Sequence, residues 1–352
     1  MTHRKILFKF LLATFLLCLA TSARAQHESI EDEKFNPGTF ILEHIGDAYE
    51  WHILTYNGHH VSIPLPVILY SKQSGFHAFI SSGFHHGGHK GFSIAVDGEY
   101  KGKIVEDSTG ERPLLDLSIT KNVLAIFVSM TIILWIFLSV AKAYKRRGNV
   151  APSGLQSWVE PVILFVRDDI AHPAIGHKYE RYMPYLLTLF FFILVNNLMG
   201  LIPFFPFGAN VTGNIAVTLV LAVLTFLITT FSSTKTYWVH IFNTPGVPWW
   251  LKIPVPLMPF VEFLGVFIKP FVLMVRLFAN ITAGHIIAIG FFSLIFLFGE
   301  MHIALGYGAS VISVFFTVFM TFLELLVAFI QAYVFTLLSA LYFGMAVEEN
   351  HH

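Results

Sequence analysis

Apolar positions gather into long runs over the last two thirds of this chain, while polar and apolar residues alternate at short range before residue 118. The first run able to cross a bilayer is 123–141, "VLAIFVSMTIILWIFLSVA", because about 20 apolar residues span a hydrocarbon core about 30 Å thick. Two further spans are expected at 185–205 and 215–231. The last two runs, 256–298 and 309–347, are separated by "GEMHIALGYG", and each is far longer than one perpendicular crossing needs. They predict a helical hairpin that tilts steeply, bends or begins with a re-entrant piece, with Pro259 and Pro270 as candidate break points. After the first span, 155–171 mixes apolar and charged residues at helical spacing, as a helix lying along the membrane surface does.

Residues 26–117 read differently. "HVSIPLPVILY" and "FSIAVDGEYKGKIV" alternate with glycine turns between them, the pattern of short strands in a small β-rich domain. Ahead of it, Arg4 and Lys5 precede an apolar stretch from Phe10 to Ala20, and "SARAQ" offers an Ala23-x-Ala25 cleavage site before Gln26. Residues 1–25 therefore predict a secretory signal, and the domain that follows should lie outside the cytoplasm. The expected fold is an all-α polytopic membrane protein of five to six membrane helices (residues 118–352), ending in a long tilted hairpin and preceded by an exterior domain.

Charge refines the orientation. Lys142, Lys145, Arg146 and Arg147 follow the first span and mark its cytoplasmic end by the positive-inside rule. Lys178 and Arg181 before the middle pair, and Lys235 after it, keep those ends cytoplasmic, so the C-terminal "EENHH" is expected there too. Only 12% of residues are charged, against about 25% in soluble domains. Basic and acidic residues balance at 22 each, so no bulk field points to nucleic acid. The single cysteine, Cys18, falls in the expected signal, which leaves no thiol framework or cysteine-held metal in the mature chain. Nine of the 17 histidines lie in 26–117, including "FHHGGHKGF", but without metal-ligand spacing they read as surface residues. No GxxxxGK[ST] phosphate loop is present, so the chain is not expected to bind nucleotide or act as an enzyme itself.

The informative chemistry is charge inside the apolar runs. Arg276, in "MVRLFANITAGH", cannot neutralise itself, and a cation at mid-membrane costs about 2.5–3.5 kcal/mol on insertion scales. Glu262, Lys269 and Arg276 are spaced by seven, so they share one helical stripe. Asn280 follows Arg276 one turn on, among the small residues Ala279, Ala283 and Gly284, which let another helix approach in lipid. Glu324 and Gln331 form a similar stripe on the last helix. A hairpin turning near 301–305 levels Arg276 with Gln331 and His285 with Glu324. Arg276 and His285, nine residues apart, face opposite sides of a straight helix. One then meets a partner surface and the other a water-filled cleft. Two plainer readings stand beside this: Arg276 as counter-ion to Glu324 or Glu262, and His285 with Glu324 as a buried pair bracing the hairpin. Asn196, Asn197 and Asn214 either join helices through hydrogen bonds or wet an ion path.

At "FIKPFVLMVRLFANITAGH", "ELLVAFIQAYVFTLLSALY" and "NNLMGLIP", and more weakly at "SITKNVLAIF" and "TGNIAVTLVLAV", the chain resembles the a subunits of the membrane (Fo) sector of F-type ATP synthases. The likeness runs from about Ser118 to Glu349. It implies a proton-translocating stator subunit of a bacterial inner membrane, with two half-channels and no cofactor. Its implied partners are a ring of carboxylate-bearing c subunits, the b-subunit peripheral stalk and, indirectly, the soluble F1 sector. By the same likeness Arg276 faces the ring, His285 and Glu324 line the external half-channel, and Gln331 and Asn280 lie near the arginine. Asn214 sits where many members carry Asp. A secondary ion transporter or channel subunit is the rival class; it calls for a midplane substrate site and paired repeats, neither of which is visible. A haem protein would need a second deep histidine ligand besides His285.

Overall fold

The computed structural model describes residues 36–56, 59–147, 151–202, 205–242 and 257–348. The expected signal at 1–25 lies outside the described residues. Helix α1 (Pro37–Ile45) leads into a β-rich region of seven strands: β1 (Glu50–Tyr56), β2 (His59–Pro64), β3 (Pro66–Ser71), β4 (Gly75–Ile80), β5 (Phe92–Ile94), β6 (Ile104–Glu106) and β7 (Leu115–Asp116). The two alternating stretches in the sequence became β2–β3 and the β5–β6 hairpin. All pairings are antiparallel: β1 with β2, β3 between β4 and β7, and β5 with β6. Tyr49, Val67, Leu69, Phe84, Phe92 and Ile104 make the small core beneath them. From the histidine-rich segment, His89 packs against the Phe79 ring, and His77 meets the edge of Phe92.

The strand region passes directly into α2 (Lys121–Arg147), the first apolar helix. Its start is capped twice, which settles backbone donors that a helix terminus leaves open. The Thr120 hydroxyl accepts from Val123 N, and the distant Asp47 carboxylate accepts from Asn122 N at 3.1 Å. Next come α3 (Leu155–Phe165), a π-helical turn (Val166–Ala171) and α4 (His172–Ile175), one unbroken helical stretch that contains the expected helix at 155–171. This stretch is sealed against the bundle by Val166, Ile170 and Ala171, all fully buried. Gly176, at φ 71°, reverses the chain into α5 in a backbone conformation that other residues rarely adopt.

Helices α5 (Tyr179–Gly200) and α6 (Ile215–Ser232) match the two middle spans, and a short α7 (Lys235–Phe242) follows. The terminal hairpin departs from expectation. Helices α8 (Leu257–Met301) and α9 (Ile303–Val347) run 45 residues each, and the stretch "GEMHIALGYG" is helical apart from His302. The glycines there make no loop. They permit a close crossing, since a Cβ on Gly306 would come within 2.8 Å of Gly299 Cα. His302 alone is extended, and its ring Nδ1 caps α9 by accepting from Ala304 N at 3.1 Å. Nor does α8 break at Pro259 or Pro270; the helix is continuous through both. At 1.5 Å per residue, each helix is about 68 Å long, more than twice a bilayer core.

The bundle's core lies between α5, α8 and α9. Leu186, Phe190 and Ile193 of α5 pack with Leu273 and Leu277 of α8 and Phe335 and Phe343 of α9. Small residues on α9, among them Ala332, Ser339 and Ala340, bring the helices together as membrane helix contacts require. A polar seam crosses the same region: the Tyr185 hydroxyl lies 2.8 Å from Thr225 Oγ1, and Thr225 Oγ1 lies 3.5 Å from Ser339 Oγ. Among the described residues, five helical segments are long and apolar enough to cross a membrane. Only 11% of the most apolar window of α8, and likewise of α9, is buried within the chain. Those surfaces are left for lipid or other subunits.

Candidate functional site

The hairpin register brings His285 of α8 against Glu324 of α9, with Nδ1 and Oε1 3.8 Å apart. That is too long for a direct hydrogen bond and close enough for one intervening donor–acceptor to join them. Gly284 makes the approach possible, because a Cβ there would stand 2.9 Å from Glu324 Oε1. On the other side of His285, Gly200 ends α5, and a Cβ on it would lie 3.6 Å from Nε2.

Both groups border a cavity of about 480 Å³. Its walls come from α8 (His285, Ala288, Ile289, Phe292), α9 (Thr317, Thr321, Glu324), the 200–210 segment (Gly208 and Asn210 among them) and Ile45 at the end of α1. The helix that leads into the β-rich region thus supplies part of the cavity's wall. Three buried polar atoms of its lining residues, Asn210 Nδ2, Thr317 Oγ1 and Glu324 Oε1, have no hydrogen-bond partner among the described residues.

Arg276 points elsewhere. It is exposed on α8, two and a half turns from His285, with exposed Val272, Ala279, Asn280 and Ala283 on neighbouring turns. Among the described residues no ion pair or hydrogen bond engages its guanidinium, so neither Glu324 nor Glu262 serves as its counter-ion. Gln331 is 6% exposed on α9 and is not hydrogen-bonded to Arg276. The expectation that Arg276 and His285 meet different surroundings matches this geometry.

A second cavity, of about 350 Å³, lies at the opposite end of the bundle. Glu262 and Lys269 of α8 line it together with Tyr237 and His240 of α7 and Met345 and Glu348 near the end of α9. Lys269 Nζ sits 5.6 Å over the Tyr342 ring, a cation–π contact that holds it at the cavity's inner edge. The stripe read from the sequence thus divides: Glu262 and Lys269 face this cavity, while Arg276 faces outward.

The buried asparagines divide as well. Asn197 bridges three segments, donating to Ala328 O at 3.2 Å and accepting from the Thr212 hydroxyl. Asn196 donates to Phe192 O within its own helix. Asn214 is the N-cap of α6, accepting from Ala216 N at 2.9 Å, and is not on the cavity wall. Its neighbour Asn210 occupies that position instead. Asn210, Thr317 and Thr321 were missed in the sequence. Thr317 and Thr321 share one helical face with Glu324, a polar stripe that the 3.6-residue period does encode. Asn210 lies in a loop, where no periodicity could mark it.

Comparison with known proteins bears on most of the chain. A family model described as ATP synthase A chain matches residues 123–344. A second model, described only as a domain of unknown function, matches residues 40–123. Among relatives, ATP synthase subunit a of Chloroherpeton thalassium is 46% identical over 244 residues, covering 67% of this chain and 69% of that protein. ATP synthase subunit a 2 of Chlorobaculum tepidum is 48% identical over 242 residues, covering 67% and 65%. A more distant one, ATP synthase subunit a of an Anaeromyxobacter species, is 39% identical over 250 residues, covering 68% and 56%.

Proposed function

The chain belongs to the ATP synthase A chain family, subunit a of the proton-translocating Fo sector, and from that premise we propose how its side chains carry protons past a rotating ring. The observation that carries the reading is the division of one helix: an exposed Arg276, unpaired among the described residues, on one face of α8, and His285 with Glu324 on the wall of a cavity on another. The membrane protein is multi-pass and bacterial in kinship. In the proposed orientation its β-rich region and the larger cavity face the cell exterior, and the smaller cavity faces the cytoplasm.

Protons from outside enter the larger cavity through water and reach the Glu324–His285 pair. Glu324 accepts and releases the proton, and His285 passes it on through the other ring nitrogen. From there it reaches a carboxylate on a c subunit at the exposed face of α8 and α9. A protonated carboxyl is neutral and can turn into lipid. Before a returning carboxyl passes Arg276 it must lose its proton, and the guanidinium stabilises the anion. At about 4 Å and an effective dielectric near 20, opposite charges attract by about 4 kcal/mol, which offsets the burial of both ions and still allows release. Arginine suits this role because it keeps its charge where a buried lysine gives it up.

The released proton leaves through the cytoplasmic cavity, where Glu262, His240 and Glu348 supply acceptors. Arg276 lies along α8 between the two cavities, and its fixed positive charge opposes a proton passing straight from one to the other. The driving force is the membrane potential, about 2.3 kcal/mol per charge per 100 mV. Nucleotide chemistry belongs to the soluble sector, and the b-subunit stalk holds this chain still against the ring.

Arg276→Ala is the direct test. Because Arg276 is exposed and makes no hydrogen bond or ion pair among the described residues, the variant should fold and assemble normally yet lose ATP-driven proton pumping in membrane vesicles. Coupled pumping at the parental rate would remove Arg276 from this role.

A further inference from the structure

The β-rich region that precedes the spans is no remote appendage. Ile45, the last residue of α1, forms part of the wall of the cavity that ends at His285 and Glu324, and α1 packs along α8. Two hydrogen bonds staple the turn after α1 to the start of α2: Lys121 N donates to Ala48 O at 2.9 Å, and Asn122 N donates to the Asp47 carboxylate at 3.1 Å. Trp51 of β1, 4% exposed, is buried against Ala125 of α2 and against Ala209 and Val211, and its ring meets the Phe205 edge at 5.4 Å. The segment braced by Trp51 is the one that supplies Gly208 and Asn210 to the cavity. Both the α1 side and the loop side of the mouth are therefore fixed by the β-rich region.

We infer that this region, residues 40–117, forms the mouth of the external proton cleft, with Ile45 as the residue that sets the width of the aqueous entrance and Asp47 as the residue that positions it. The inference rests on the cavity being the external half-channel, as proposed above. What passes is water and the protons it carries; the apolar Ile45 side chain narrows the entry without offering a binding group. An entrance of this kind admits small solutes and excludes bulky ones. It also makes the flux through the cleft sensitive to the size of the side chain at position 45.

The test uses the whole ATP synthase with Cys18→Ser as background. Thr321→Cys, on the cavity wall, reports access through its rate of reaction with a small, membrane-impermeant thiol reagent added outside. Ile45→Trp should slow that labelling severalfold and lower ATP-driven proton pumping to a similar degree. Ile45→Cys provides the same test after assembly: a bulky thiol reagent should slow pumping severalfold in this variant and leave the Cys18→Ser parent unaffected. Undiminished labelling of Thr321→Cys in the presence of Ile45→Trp, or undiminished pumping with modified Ile45→Cys alongside undiminished labelling, overturns the inference. Slowed labelling with parental pumping is a different failure: the region then bounds the cavity, but the cavity is not the proton route, and the function proposed above falls with it. Asp47→Ala, which frees the turn without adding bulk, should speed the labelling of Thr321→Cys; an unchanged rate removes Asp47 from its positioning role.

Discussion

Arg276 and Glu324 are both ionisable groups within apolar helices, but they occupy different surroundings and do different work. The guanidinium is exposed and unpaired among the described residues, as its proposed encounter with a c-subunit carboxylate requires. The carboxylate is largely enclosed, with its Oε1 3.8 Å from an imidazole nitrogen. A relay of this sort needs one acid and one imidazole in contact with the same water, and the order along the chain is immaterial. Replacing either His285 or Glu324 by Ala should therefore slow ATP-driven pumping and leave assembly intact. Exchanging them, His285→Glu with Glu324→His, should restore part of the rate, measured by acidification of inverted vesicles. Parental rates in both single variants would show that protons travel by another path. The residues that matter here were legible in the sequence because a charge inside an apolar run is costly and stands out.

At the scale of elements, the terminal hairpin is governed by glycines whose roles differ. A Cβ on Gly284 would press on the end of the Glu324 side chain, which can swing aside. Gly284→Ala should therefore assemble at normal yield and pump more slowly, because the carboxylate is displaced from His285. A Cβ on Gly344 would collide with the backbone carbonyl of Ala174, which cannot move without shifting α4. Gly344→Ala should lower the thermal stability of the complex or its yield, as overpacking by one methyl group costs about 1–3 kcal/mol. Gly265, with open space around it, is the control, and Gly265→Ala should change neither property. Equal effects at the three positions would mean that backbone propensity, not contact, is being measured. The same glycines explain a misreading. "GEMHIALGYG" has the composition of a loop, and one sequence does not say whether a glycine permits a turn or a close crossing.

For the whole molecule, the decisive feature is that two cavities enter the same hairpin from opposite ends and stop at different residues of α8. One reaches His285, the other Lys269, and Arg276 lies between them along the helix. In the proposed orientation an impermeant thiol reagent added outside should label Ala288→Cys, and one added from the cytoplasmic side should label a cysteine at Thr236, a residue on the wall of the smaller cavity (Thr236→Cys). The comparison is made in intact and inverted vesicles carrying the Cys18→Ser background. Labelling of both positions from the same side would contradict two separate half-channels. The β-rich region belongs to this picture too, since its Ile45 lines the wider cavity and its Trp51 anchors it to the bundle.

The sequence alone determined the membrane spans, the strand-forming alternation, the hairpin and the depth match of His285 with Glu324. Each follows from hydrophobic period and chain length, which act locally and leave a linear trace. The tertiary structure decided what no period records: that Arg276 turns outward while Glu262 and Lys269 turn toward a cavity, and that Asn214 caps a helix while Asn210 lines the larger cavity. It also decided that a distant helix, α1, completes that cavity's wall. These outcomes depend on how helices rotate and cross when they pack, and packing joins residues far apart in the chain through contacts that their spacing does not encode.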